Sequence, residues 1–118
     1  MSVVLSQDDL AFWEENGFVV IHNAVPDENL EAAVNAIWDF LDVEAHNPGD
    51  WYKHPPRMGD RNDSPISQAG MVEIYQHQAL WDNRQYPKVH QAFSEIWETD
   101  RLWVSLDRAN MKPPTRPD

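Results

Sequence analysis

The spacing of apolar positions predicts three helices along this chain. The first begins after Ser6, a good N-cap, and ends at Asn16, where Gly17 can take the left-handed conformation of a C-cap. The second begins after Pro26 and runs to about residue 43, and we expect its apolar stripe to lie against a sheet. The third begins at Pro87. The apolar stripes consist of Leu30, Ala33, Val34, Ile37, Trp38 and Leu41 in the second helix, and Val89, Phe93, Ile96 and Trp97 in the third.

Two further stretches predict β-strands. Residues 18–22 (FVVIH) form a β-branched and aromatic run, which is typical of a strand buried on both faces. Residues 102–112 form the second strand, which the pair Pro113 and Pro114 ends. Its period of two predicts a buried aliphatic face and an opposite face that meets a cleft or solvent. The aliphatic face carries Leu102, Val104 and Leu106, and the opposite face carries Trp103, Ser105 and Asp107.

Between these elements lies a long irregular stretch. Residues 44–70 are rich in proline and glycine and predict a loop, whereas residues 71–75 fit either a helix or a strand. Loops of this length are uncommon in compact domains and are often functional. Lys53, Arg57 and Arg61 concentrate positive charge here and are candidates to bind an anionic ligand. The alternative is a solvated surface loop.

Composition limits the class of protein. The 118 residues suffice for one domain, residues 1–118, and six tryptophans in a chain that is 42% hydrophobic indicate a folded state. Twenty acidic and nine basic residues give a net charge of -11, which disfavours nucleic acid and anionic membranes as partners. There is no cysteine and no apolar run of the roughly 18–20 residues that span a bilayer. We therefore expect a cytoplasmic protein.

The sequence offers no strong catalytic motif. Five histidines are present, but none has an acidic residue two positions later and no two have the i, i+4 spacing of a helical zinc motif. The serines lack a nucleophile elbow, and there is no glycine-rich phosphate loop. We therefore predict no catalytic residue and no metal ligand within this chain. The histidines are His22, His46, His54, His77 and His90.

Several stretches together resemble the phytanoyl-CoA dioxygenase-like family of iron(II)- and 2-oxoglutarate-dependent oxygenases. Residues 9–21 (DLAFWEENGFVVI) are similar to that family's first helix and strand, and the helix after Pro26 has the expected place. Residues 93–114, which include DRLWV at 100–104 and RANMKPP at 108–114, resemble the strand that enters the family's double-stranded β-helix. The resemblance implies an α+β fold in which N-terminal helices pack on the first strands of an incomplete jelly roll.

The resemblance also implies a cofactor that this chain lacks the means to hold. Family members bind iron with two histidines and one carboxylate, and the first histidine belongs to an H-x-D motif that follows this strand. No H-x-D or H-x-E occurs in these 118 residues. Iron(II) and 2-oxoglutarate are thus expected in a complete family enzyme, and no cofactor is expected in this chain alone.

One cosubstrate contact carries over by resemblance. Asn110 matches an asparagine that contacts 2-oxoglutarate in relatives, and an amide can donate to a carboxylate. Asn110 equally fits a residue that caps the end of the strand. Some relatives have a glutamine at the position of Leu106, which cannot make that contact. The candidate substrate-binding residues are Trp103, Asp107, Arg57 and Arg61.

Two functions remain open on these grounds. The chain is either the N-terminal portion of an oxygenase that hydroxylates a C–H bond of a small molecule or acyl thioester, or a non-catalytic binding module that self-associates through an exposed strand edge. The ending PPTRPD resembles the middle of a protein and favours a portion of a longer enzyme.

Overall fold

Four helices and a small sheet form the part of the chain described by the computed structural model, residues 3–54, 64–67 and 70–116. This mixture of helix and antiparallel sheet confirms the α+β class. The α-helices are α1 (Gln7–Asn16), α2 (Asp27–Leu41), α3 (Gln78–Arg84) and α4 (Pro87–Trp97). The strands are β1 (Met71–Val72) and β2 (Ala109–Asn110), and a 3-10 helix spans Pro48–Tyr52.

Helix α1 begins and ends where the sequence predicts. The Ser6 hydroxyl accepts a hydrogen bond from the Asp9 amide at 3.0 Å, and the Asp9 carboxylate accepts one from the Ser6 amide at 2.9 Å. This reciprocal pair is a capping box. The backbone bond and then the hydroxyl bond from Ser6 hold the pKa of Asp9 below its ordinary value. Gly17 ends the helix with φ 77°, as its lack of a side chain allows.

A core of small and aliphatic side chains joins α2, α3 and β1. Helix α2 ends at Leu41, slightly before the predicted residue 43, because Asp42 adopts a left-handed conformation. Helix α2 packs on α3, so its stripe meets a helix as well as the sheet residue Val72. The expectation that the stripe lies against a sheet is thus correct only for its C-terminal end. The buried cluster comprises Ala36, Leu41, Val43, Ile66, Val72, Ile74 and Ala79.

The sheet joins two parts of the chain that lie far apart in sequence. β1 and β2 are antiparallel, with Met71 opposite Asn110 and Val72 opposite Ala109. Ile66 forms an isolated antiparallel bridge to Val72 on the other side. The chain enters β1 through Gly70, which is buried, has φ 83° and accepts a hydrogen bond from the Met111 amide at 2.9 Å.

Helix α3 was not predicted from the sequence. The short apolar run before residues 82–84 gives no clear helical period, yet the helix continues through those polar residues. Its N-terminus is capped by the His77 ring, whose Nδ1 accepts a hydrogen bond from the Ala79 amide at 3.0 Å. Histidine is not among the common N-cap residues, so the usual start signal is missing.

Two strand predictions are wrong for the described residues. Residues 18–22 form no strand, and Phe18 and Val20 are exposed rather than buried. Residues 102–112 contribute only Ala109–Asn110 to the sheet, and Val104 and Leu106 are exposed. The physical reason is the same in both places, because a strand needs a neighbour and no other described segment pairs with residues 18–22 or 101–108.

The loop prediction is partly correct. Within residues 44–70 the chain forms the 3-10 helix Pro48–Tyr52, which Asn47 caps by accepting a hydrogen bond from the Gly49 amide at 3.2 Å. The Trp51 ring stacks on Trp38 at 6.5 Å between centroids. This stacking attaches the start of the loop to α2.

The fold is more open than a typical domain of this size. Its Cα radius of gyration is 17.5 Å, whereas a compact domain of this length has about 13 Å. No residue of α1 is buried, and large apolar side chains of α1 and α4 face solvent. The helices and the sheet therefore share a small core and leave considerable apolar surface uncovered.

A carboxylate on α4 anchors the N-terminal segment. Glu95 accepts hydrogen bonds from the Val4 amide at 2.9 Å and from the Leu5 amide at 2.8 Å, and Gln91 donates a third at 2.9 Å. Partial burial alone raises the pKa of Glu95, but these hydrogen bonds lower it by more, so the pKa lies below the ordinary value of 4.5. Ionised Glu95 therefore holds the chain just before α1.

We predict that this anchor weakens in acid. Because the folded-state pKa of Glu95 is depressed, its contribution is fully present above pH 4.5 and is lost as the pH falls through the lower folded-state pKa. Glu95→Gln should lower the free energy of unfolding near neutral pH and flatten its pH dependence below 4.5, measured by urea unfolding at several pH values. Glu31→Gln on the exposed face of α2 is the matched control. Identical pH profiles for Glu95→Gln and wild type would contradict this assignment.

A second prediction concerns the entry to β1. A Cβ atom at Gly70 would lie 2.8 Å from Cγ of Lys112 and 3.2 Å from the carbonyl oxygen of Met111, at a backbone conformation that disfavours side chains. Gly70→Ala should lower the free energy of unfolding by at least about 1–2 kcal/mol. Gly49→Ala, where a Cβ atom meets only Oδ1 of Asn47 at 3.4 Å, should change it much less. Equal urea midpoints for the two variants would show that Gly70 is not required.

Candidate functional site

An open groove between α4 and the segment before β2 is the candidate site. Its volume is about 560 Å³, and among the described residues no aspartate or glutamate lines it, although the chain has twenty acidic residues. Aromatic and aliphatic side chains form its walls, and an arginine and a histidine lie at its edge. The lining residues are Arg84, Gln85, Val89, His90, Phe93, Trp97, Leu102, Trp103, Val104 and Ser105.

Arg84 connects the end of α3 to this groove. Its Nη1 donates to the Tyr75 carbonyl at 3.0 Å, and its Nη2 donates to the Asp107 carbonyl. Its guanidinium also lies 5.2 Å from the centre of the Trp81 ring. A planar guanidinium can span two carbonyls in this way, so Arg84 holds the segment before β2 beside the residues after β1.

A second arginine reinforces the same junction. The Arg108 guanidinium lies 3.6 Å from a Glu73 carboxylate oxygen and 5.8 Å from the centre of the Tyr75 ring. The Tyr75 hydroxyl in turn donates to the other Glu73 carboxylate oxygen. These polar contacts extend the link between the two chain segments beyond the two residue pairs of the sheet.

The predicted site residues near β2 occupy different places. Trp103 lines the groove and is 99% exposed, which is unusual for so large an apolar side chain. Asp107 lies outside the groove lining, and its carboxylate accepts a hydrogen bond from the Arg108 amide at 2.7 Å. Asn110 is exposed on β2, opposite Met71, and also lies outside the lining. The structure therefore brings Trp103, but neither Asp107 nor Asn110, into the groove.

The positive residues of the loop divide into two groups. Arg57 and Arg61 lie outside the described residues. Lys53 is described, and its Nζ donates to the Asp42 carbonyl at 2.6 Å and pairs with the Asp42 carboxylate at 3.0 Å. The Lys53 ammonium thus contacts the C-terminal end of α2, where the helix dipole favours a cation. In this position it is paired with Asp42 and is not free to bind an anionic ligand.

Three of the five histidines have structural partners in the described chain. His54 Nε2 lies 2.5 Å from the Leu41 carbonyl, and His90 Nε2 lies 3.1 Å from the Asp100 carbonyl. His77 caps α3. No group of three histidine, cysteine or acidic side chains suited to a metal ion occurs in the described residues. The described residues therefore do not fit the two-histidine, one-carboxylate iron site that the family resemblance implies.

Sequence reasoning missed several groove residues. Phe93 and Trp97 belong to an amphipathic stripe, and such stripes usually face a core. Arg84 lies in the polar run 82–84, which interrupts the apolar pattern and marks no site in the sequence. A possible signal in the sequence was the pair of large aromatic residues on the stripe of α4, because few predicted elements lie near enough in the chain to bury both.

None of the described helices is both long and apolar enough to cross a bilayer.

Comparison with known proteins identifies two relatives. The chain is 30% identical over 119 residues to a Dictyostelium discoideum protein described as "Putative phytanoyl-CoA dioxygenase", and the match covers 88% of this chain and 31% of that protein. It is 26% identical over 117 residues to "Ava biosynthesis cluster protein O" of Aspergillus versicolor, with 90% and 34% covered. The chain thus spans about a third of the length of the curated relatives it matches. No family model and no solved structure matches.

These findings define an α+β chain with an open groove beside a short antiparallel sheet. The chain is related to phytanoyl-CoA dioxygenase-like proteins, and the match covers most of its length. The family resemblance predicted from residues 9–21 and 93–114 is confirmed.

The geometry at Arg84 gives a testable prediction for the candidate site. The donors of a lysine side chain all lie on one nitrogen, so lysine lacks the planar fork with which Arg84 reaches two carbonyls from two separate nitrogens. Arg84→Lys should therefore speed amide hydrogen exchange at residues 107–108 and lower the free energy of unfolding by about 1 kcal/mol. Exposed Arg101 is the matched control, since Arg101→Lys should leave both quantities near the wild-type values. Unchanged exchange at residues 107–108 in Arg84→Lys would rule out the bridging role.

Proposed function

We propose that this chain is the N-terminal portion of a non-haem iron(II)- and 2-oxoglutarate-dependent dioxygenase that hydroxylates a C–H bond of a small molecule or acyl thioester. The observation that carries the proposal is the 30% identity to the Dictyostelium protein across 88% of this chain. The mixed helix and sheet architecture is compatible with N-terminal helices packed on the first strands of a jelly roll.

The proposed roles follow from the region around β2. Asn110 is exposed on the sheet, where its amide can donate to a carboxylate of 2-oxoglutarate. Trp103 presents an apolar ring at the groove, and Asp107 offers a carboxylate three residues before Asn110. In the proposal these two side chains contact the substrate, together with Arg57 and Arg61 of the loop.

The described residues do not fit an iron site, so we assign no iron ligand among them. In the proposal the ligands come from residues outside the match to this chain, since the relatives are about three times as long. The contribution of this chain is then to bind and position the cosubstrate and the substrate. By itself it should form no succinate from 2-oxoglutarate.

The complete reading frame of the gene tests the proposal. We expect an H-x-D or H-x-E motif after residue 118 and iron-dependent conversion of 2-oxoglutarate to succinate by the full product. Asn110→Ala in that product should raise the KM for 2-oxoglutarate about tenfold, the effect of roughly one lost hydrogen bond to a charged group. Asn47→Ala, which alters an asparagine at the start of the 3-10 helix, is the control. A full product without succinate formation would refute the proposed activity.

A second candidate function is a binding module that associates with itself. The observation that favours it is that segment 101–108 pairs with no other described strand, because a strand edge without a partner invites association. Sedimentation equilibrium of the 118-residue chain separates the two candidates. A monomer at all concentrations favours the oxygenase portion, and a concentration-dependent dimer favours the binding module.

A further inference from the structure

The wall of the groove on α4 is apolar and uncovered. Phe93 and Trp97 are 54% and 63% exposed, and Val104 faces them from the other side at 40%. The face of α4 that points away from the groove instead places Ala92 in the interior. Helix α4 therefore uses its smallest apolar residue for packing and presents its largest ones to solvent, which is unfavourable in an isolated domain.

The charge around the groove differs from that of the whole chain. Acidic residues outnumber basic ones by twenty to nine, yet in the part of the chain that the structure describes no carboxylate lines the groove. The ionisable lining residues there are Arg84 and His90. Removing a carboxylate from water costs free energy unless it is paired. A groove without carboxylates is therefore suited to be buried by another polypeptide segment.

The backbone beside the groove pairs with no other strand among the described residues. Residues 101–108 form no ladder with any other described segment, although β2 follows them directly. The backbone donors and acceptors of such a segment can pair with an added strand. Apolar side chains and a backbone segment without a strand partner among the described residues thus lie together at the groove.

We propose that a polypeptide segment that follows residue 118 in a complete protein binds in this groove. In the proposal it packs on the side chains of Phe93, Trp97 and Val104. The inference rests on the part of the proposed function that makes this chain one portion of a longer protein. The length of the relatives supports this occupant, since the match covers only 31% and 34% of them. A second copy is disfavoured because each copy carries a net charge of -11.

The test compares the 118-residue chain with the product of the complete reading frame. Hydroxyl-radical footprinting should oxidise Phe93 and Trp97 rapidly in the short chain and several-fold more slowly in the full product. Phe40, which is 43% exposed on α2 and lies outside the groove, should react at similar rates in both. Equal rates for Phe93 and Trp97 in both proteins, or a reading frame that ends at residue 118, would overturn the proposal.

A variant pair supplies an independent readout. Trp97→Ser should raise the unfolding equilibrium constant of the full product at least about tenfold, as expected for truncation of a buried aromatic anchor, and should change that of the short chain little. Phe40→Ser should have similar effects in both proteins. If the short chain instead dimerises and Trp97→Ser abolishes the dimer, the occupant is a second copy and the proposal is wrong. Succinate formation by the full product is measured separately. If Phe93 and Trp97 are protected in a full product that forms no succinate, the proposed oxygenase chemistry is refuted but the groove proposal is not.

Discussion

The burial of Val72 is the interaction on which the rest of this structure depends. Its side chain is fully buried in the cluster that Leu41 of α2 and Ala79 of α3 complete. Its backbone pairs with Ala109 on one side and Ile66 on the other. One residue thus connects α2, α3, the end of the loop and the C-terminal segment.

Local signals predicted the helices well where their caps are of common types. The capping box at Ser6 and the proline at the start of α4 mark the N-termini of two helices directly in the sequence. Helix α3 lacks such a signal because a histidine ring caps it. The α+β class was implied by the family resemblance rather than by the strand patterns, since the sheet forms from Met71–Val72 and Ala109–Asn110.

The strand predictions failed for a physical reason that no local pattern contains. Residues 18–22 and 102–108 have strand composition, but a strand becomes ordered and buried only through a neighbour. Leu102, Val104 and Leu106 do alternate with other residues as in a strand, yet no described segment buries their side chains fully. The groove likewise forms between segments that lie apart in sequence, α4 and residues 102–105. Of the predicted site residues that the structure describes, only Trp103 lies in it.

Native-state hydrogen exchange on the 118-residue chain tests the account most directly. If Val72 anchors a small core and the adjoining strand segments lack partners, amides near the ends of α2 and β1 exchange most slowly. Those of residues 18–22 and 101–108 then exchange close to the rates of an unstructured peptide. Strong protection throughout residues 18–22 and 101–108 in a monomeric chain would contradict the account, because it would show a self-contained sheet with its strands already paired.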